Sequence, residues 1–190
     1  MPTTHTKPPV HIMLDLETMG TTPGCPVLSI GAVAFDAGGV REDHFYSAVK
    51  LAENPIVSAA TLLWWLDQNG YARSVLIEDQ KTAPGAEEAY KAFSSWVVQA
   101  RGGMGLLDGV WANGASFDLP IIEHAMRGVG VAVPWSFHVH RCFRTMKELP
   151  GARTASVEPE FKGPAHNALY DAIHQAEWLI NIHHNITPCL

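Results

Sequence analysis

The stretch His11-Ile12-Met13-Leu14-Asp15-Leu16-Glu17-Thr18-Met19-Gly20 places two carboxylates where a strand normally carries only core residues. From Val10 to Leu16 the chain is short and apolar, with Pro8-Pro9 ahead of it and Gly20-Thr21-Thr22-Pro23-Gly24 behind, which is the pattern of a buried strand. Side chains two apart on a strand share a face, so Asp15 and Glu17 point the same way and repel each other unless a positive charge lies between them. A hard divalent cation is the usual solution. An isolated D-x-E is more often a strand whose polar end reaches solvent, so the rest of the chain has to decide.

At 190 residues and 47% hydrophobic, the chain is sized for one domain over residues 10–190, burying on the order of 70% of its unfolded surface, behind an N-terminal tail of residues 1–9. No apolar run approaches the roughly 18 to 20 residues of a membrane helix, and the first residues lack an apolar signal core. A soluble, cytoplasmic protein without a membrane partner is expected. Cys25, Cys142 and Cys189 are far apart and form no C-x-x-C pair, which argues for reduced thiols rather than a disulfide frame or a cysteine zinc site. The net charge of −6 counts against broad coating of nucleic acid, which needs many Lys and Arg contacts to phosphate. It leaves room for a local phosphate site, because bound metal ions invert the charge of an acidic pocket.

Along the chain, Pro26 to Asp36 reads as a second strand ending at the turn Ala37-Gly38-Gly39, and His44 to Val49 as a third, giving an antiparallel meander. Gly31 inside the second strand signals a bulge or a close backbone approach. Ser58 to Asp67 and Ala72 to Ile77 read as helices broken near Asn69-Gly70. Thr82-Ala83-Pro84 reads as the start of an amphipathic helix ending at Gly102-Gly103. A strand over Leu106 to Ala112, Ser116 as a helix cap, a helix over Phe117 to Arg127, a strand near Ser136 to Val139 and a short helix from Cys142 to Leu149 follow. A loop through Pro164 and a last helix from about Asn167 to His183 complete the chain. The expected architecture is α/β, with a mixed central sheet and helices on its faces.

Asp118 falls at a strand-to-helix junction, where ligands gather in open α/β sheets, although one acid in a first helical turn also simply complements the helix dipole. Asp171 is more telling. The last helix carries a polar strip of His174, Glu177 and Asn181, and Asp171 lies off it, beside Ala168, Trp178 and Ile182. A carboxylate on an apolar arc is costly to bury unless it is paired or ligates a metal. His166 is about 140° from Asp171 if both are helical, so it belongs to the lead-in after Gly163-Pro164, where it can bend over the site.

Four acids and one histidine, spaced as D-x-E, then N-G-x-x-F-D, then H-x-x-x-x-D, resemble the DEDDh branch of the DnaQ-like 3′-to-5′ exonucleases, which share the ribonuclease H-like three-layer fold. The likeness spans Ile12 to about Ile180. Within that family, His11 to Gly20, Ser29 to Val33 and Thr61-Leu62-Leu63-Trp64-Trp65-Leu66 look most like phage and prophage exonuclease VIII-like enzymes, with Met19 where many relatives have a second Thr.

The resemblance implies a two-metal phosphodiester hydrolase using Mg²⁺ or Mn²⁺ ions about 4 Å apart, with oxygen ligands from Asp15, Glu17, Asp118 and Asp171. His166 would act as general base, and nucleoside 5′-monophosphates would leave from the 3′ end of DNA or RNA, most simply single-stranded. Leu16, Thr18, Met19 and Phe117 are candidates to pack against the terminal bases. One of Trp64 and Trp65 is expected in the core and the other toward the strand channel. Arg141, Arg144 and Lys147 are the nearest thing to a basic cluster, and His183-His184 is left on the surface. A non-catalytic nucleic-acid or polymerase-partner binding module, a proofreading subunit and a homo-oligomer are compatible with the same residues.

Overall fold

The computed structural model describes residues 10–186 apart from 54, 104–106 and 156–157. The apolar first stretch forms β1 (His11–Thr18), antiparallel to β2 (Val27–Asp36), which is antiparallel to β3 (Gly39–Ala48). The expected meander is present, with its third strand beginning at Gly39 rather than His44, because Ala37-Gly38 alone turns the chain. β4 (Gly109–Ala112) and β5 (His140–Cys142) add in parallel beyond β1, so the strand order is β3-β2-β1-β4-β5 and the sheet is mixed. Leu107 and Asp108 precede β4 instead of extending it: Asp108 exchanges hydrogen bonds with Val10 through its own N–H and its carboxylate.

The helices are α1 (Ala59–Asp67), α2 (Gly70–Thr82), α3 (Ala86–Ala100), α4 (Asp118–Gly128), α5 (Phe143–Glu148), α6 (Pro150–Ala155) and α7 (Ala168–Ile186). Three boundaries differ from the sequence reading. Thr82 closes α2, and Ala83 to Gly85 form an extended link held to the sheet by Lys50 N–H donating to the Pro84 carbonyl at 2.9 Å. Ser116 is not the cap of α4. Phe117 takes that position, and the N–H groups of Phe117 and Asp118 both turn back onto the Gly114 carbonyl, replacing a side-chain cap. Ser136 to Val139 is a 3₁₀ turn capped by Ser136, and the strand begins at His140. α6 falls where only a loop was expected.

Period-two alternation divides β1 between two cores. Ile12, Leu14 and Leu16 face the side covered by α3 and α4, with Phe93, Val97, Leu119 and Ile122. Met13 faces the side covered by α5 to α7, with Val33, Phe35, Phe143 and Ala172. Asp15 and Glu17 continue the Met13 row, so both carboxylates emerge under α7. Gly31 pairs with Asp15 across the sheet, and a Cβ there would lie 2.1 Å from the Ala168 carbonyl carbon. Gly31 therefore marks a close backbone approach rather than a bulge; the register shifts fall at Glu17/Thr18 and Val33/Phe35. No helix among the described residues is long and apolar enough to cross a membrane.

Candidate active site

The missing side chain at Gly31 lets the first turn of α7 rest directly on the sheet beside Asp15. That turn is capped by Asn167, whose Oδ1 accepts from Leu169 N–H at 3.1 Å, and it carries Asp171. As a result one oxygen each of Asp15, Glu17 and Asp171 lies within 4.8 Å of the others. Asp118, at the start of α4 beyond the end of β4, is outside this trio and faces Asp15 across a 250 Å³ cavity that Asn113, Phe117 and Arg144 also line.

Crowding leaves a clear electrostatic mark. Burial pushes the Asp15 carboxyl well above the usual carboxylate range, and the neighbouring charges of Asp118, Glu17 and Asp171 push it further, against one hydrogen bond from Gln175. Glu17 is pushed up to about 8 by burial and then by Asp171 and Asp118. Asp118 rises to about 7, mainly through burial, with nearby backbone N–H groups and the Arg144 guanidinium opposing. Asp171 is raised by burial and held back by His166 and His174. Among the described residues, none of these four acids pairs with a lysine or arginine. Hard oxygen donors, clustered and without a direct lysine or arginine ion pair among the described residues, are the donor set that suits Mg²⁺ or Mn²⁺.

His166 has a backbone φ of 60°, a left-handed conformation uncommon outside glycine. It is boxed by two indoles from α1: the Trp64 ring stands 5.0 Å away and the Trp65 ring 6.4 Å away, both edge-on. Trp65 is 4% exposed and donates from Nε1 to the Thr18 carbonyl at 3.0 Å, whereas Trp64 is 44% exposed. Trp65 is thus the core member of the pair and Trp64 the exposed one. With Leu16, Glu17, Thr18 and Phe117 they line a 390 Å³ cavity beside the acids.

Of the residues expected to meet bases, Leu16 and Phe117 line both cavities, and Phe117 also packs on the core. Thr18 lines the larger one but spends its hydroxyl on the Gly20 carbonyl at 2.7 Å. Met19 is not among the lining residues; its backbone braces the β1 end through Pro26 and Ser58. The basic cluster separates. Arg144 borders the Asp118 cavity, Arg141 donates to backbone carbonyls of His138 and His140, and Lys147 lies over the rings of Phe143 and Trp178. His183 and His184 are exposed, and His184 meets the Ala37 carbonyl. Cys25 and Cys142 are free thiols; Cys189 and residues 1–9 lie outside the described residues. Sequence reasoning missed Gln175, one helical turn beyond Asp171, whose Nε2 donates to Asp15 Oδ1 at 2.9 Å.

Comparison with solved structures gives three informative neighbours. Cell-death related nuclease 4 superposes with a TM-score of 0.65 at 18% identity, over 92% of this chain and 64% of that one. Exonuclease I of E. coli, solved with a dA16 oligonucleotide, gives 0.67 at 13% identity, over 93% of this chain and 41% of the other. The nuclease domain of 3′hExo, a DEDDh family member bound to rAMP, gives 0.64 at 12% identity over 94% of both chains. The chain thus spans under two thirds of the first two proteins, and at these identities the likeness establishes the fold, which is the ribonuclease H-like one. A sequence comparison with curated proteins returned no match. The family model described as the 3′-5′ exoribonuclease Rv2179c-like domain matches residues 10–183. The chain belongs to that family.

Proposed function

We propose that this protein is a divalent-metal-dependent 3′-to-5′ exonuclease that releases nucleoside 5′-monophosphates from the end of a single strand. The observation that carries the reading is the convergence of Asp15, Glu17 and Asp171 within 4.8 Å, on the face that α7 covers. Asp15, Glu17 and Asp171, with Asp118 on the far side of Asp15, would hold two Mg²⁺ or Mn²⁺ ions, which supply charge stabilisation to the attacking and leaving oxygens. His166, beside Asp171, accepts the proton of the attacking water. Leu16, Phe117 and the exposed ring of Trp64 give the terminal base an apolar wall that any base can use. RNA is the first substrate to test, given the exoribonuclease description of the family, and the finer likeness to phage exonuclease VIII-like enzymes rests on His11 to Gly20, Ser29 to Val33 and Thr61 to Leu66.

The experiment is digestion of matched 5′-labelled DNA and RNA, single- and double-stranded, with Mg²⁺ or Mn²⁺. Stepwise shortening from the 3′ end that is lost in Asp15→Ala and in His166→Ala is expected. Equal activity in the variants would sink the reading, and binding without turnover would favour the non-catalytic module.

A further inference from the structure

We propose that Gln175 is the positioning residue for Asp15: its side-chain amide fixes the carboxylate in the orientation that receives the divalent ions. This rests on the reading of Asp15 as a metal ligand. Gln175 lies in the buried part of α7, 8% exposed, and its Nε2 donates to Asp15 Oδ1 at 2.9 Å, joining residues 160 positions apart. It follows Asp171 by four residues, so the two share one helix face. One turn of that face thus supplies a carboxylate to the site, and the next orients a second carboxylate contributed by the sheet. Gly31, opposite Asp15, sets how near that face comes.

Two features separate this role from ordinary packing. Among the described residues, the Oε1 atom of Gln175 is buried without a hydrogen-bond partner, a desolvation cost that an apolar side chain of the same size would avoid. The donor is also neutral. A lysine or arginine here would neutralise Asp15 and compete with a cation, whereas an amide restrains the carboxylate and leaves its charge in place for the ion. Partners of metal ligands act in this way, removing rotational freedom that binding would otherwise have to freeze.

The test compares the parent protein with Gln175→Met, Gln175→Asn and Asp15→Asn. Gln175→Met fills the same volume without the donor, and Gln175→Asn keeps an amide that is one methylene too short to reach. Three readouts are taken: melting temperature in EDTA, Mn²⁺ dissociation constant by isothermal titration calorimetry, and kcat and KM on a labelled oligonucleotide. Gln175→Met loses the bond to Asp15 but also the unpartnered Oε1, so it is expected to stay folded in EDTA with a melting temperature near the parent's, yet to bind Mn²⁺ about 10- to 100-fold more weakly. Its kcat should fall over the same range with KM unchanged, and Gln175→Asn should show the same weakening of Mn²⁺. Parent-like Mn²⁺ affinity in either folded Gln175 variant, while Asp15→Asn loses it, overturns this proposal and leaves the metal site standing. Parent-like Mn²⁺ affinity in Asp15→Asn would instead overturn the metal site itself.

Discussion

The imidazole of His166 meets the indole of Trp64 edge-on, with ring centroids 5.0 Å apart and planes at 82°. The left-handed backbone at His166, φ 60°, costs on the order of 1 to 2 kcal/mol for a non-glycine residue, so the ring contacts from α1 help hold a conformation the chain would not choose alone. Because Trp65 is tied to the Thr18 carbonyl, the same helix links the histidine to the end of β1.

Trp64→Ala should therefore slow single-turnover cleavage by about 10- to 100-fold, with the fold unchanged by circular dichroism. Trp64→Phe keeps an aromatic edge and should recover most of the rate. If alanine and phenylalanine behave alike, the ring does not position His166.

The acid cluster makes metal-free stability depend on pH with a definite sign. Glu17 is raised from an ordinary 4.5 to about 8 and Asp118 from 3.8 to about 7. In each case the native state keeps a proton that the unfolded chain has released, so the stabilisation is full below the ordinary pKa and drains as pH rises through the folded one. In EDTA the melting temperature should fall between about pH 5 and pH 8. Mn²⁺ or Mg²⁺ replaces those protons, so the rise in melting temperature on adding the ion should grow across the same window. Thermal melts at several pH values, with and without ion, check this; Asp15→Asn should narrow the gap, and a gap that ignores pH would contradict the cluster.

Gly31→Ala should be among the most damaging small substitutions in the chain. Its Cβ would come within 2.1 Å of the Ala168 and Leu169 backbone, and helix backbone cannot step aside as a flexible side chain could. A loss of about 3 kcal/mol, the upper end for overpacking, would lower the melting temperature by roughly 6 to 12 °C. Gly128→Ala, at the end of α4 with nothing within 4 Å of a Cβ, is the matched control and should be neutral or mildly stabilising.

Much of this site is visible in local periodicity. The two-residue spacing of Asp15 and Glu17, the displacement of Asp171 from the polar strip of α7, and Gly31 inside an apolar strand each announce a physical problem that the fold then resolves. What stayed hidden depends on partners distant in sequence or on backbone turns. Gln175 reads as an ordinary polar helix residue until Asp15, 160 positions earlier, is placed beside it, although its four-residue spacing from Asp171 is a signal that could have raised it. Ser116 lost the cap of α4 to Phe117 because the Gly114 carbonyl collects the N–H groups instead. The regular spacing of Arg141, Arg144 and Lys147 suggested one basic face, but Arg141 leaves from a strand and Lys147 is drawn onto aromatic rings, so only Arg144 reaches the cavity beside Asp118.

The most direct measurement is anomalous diffraction from crystals soaked with Mn²⁺ and a nucleoside 5′-monophosphate. One manganese peak is expected among Asp15, Glu17 and Asp171, a second between Asp15 and Asp118, and the phosphate of the nucleotide against both. Crystals that show the nucleotide elsewhere, or manganese without contact to Asp15, would contradict it.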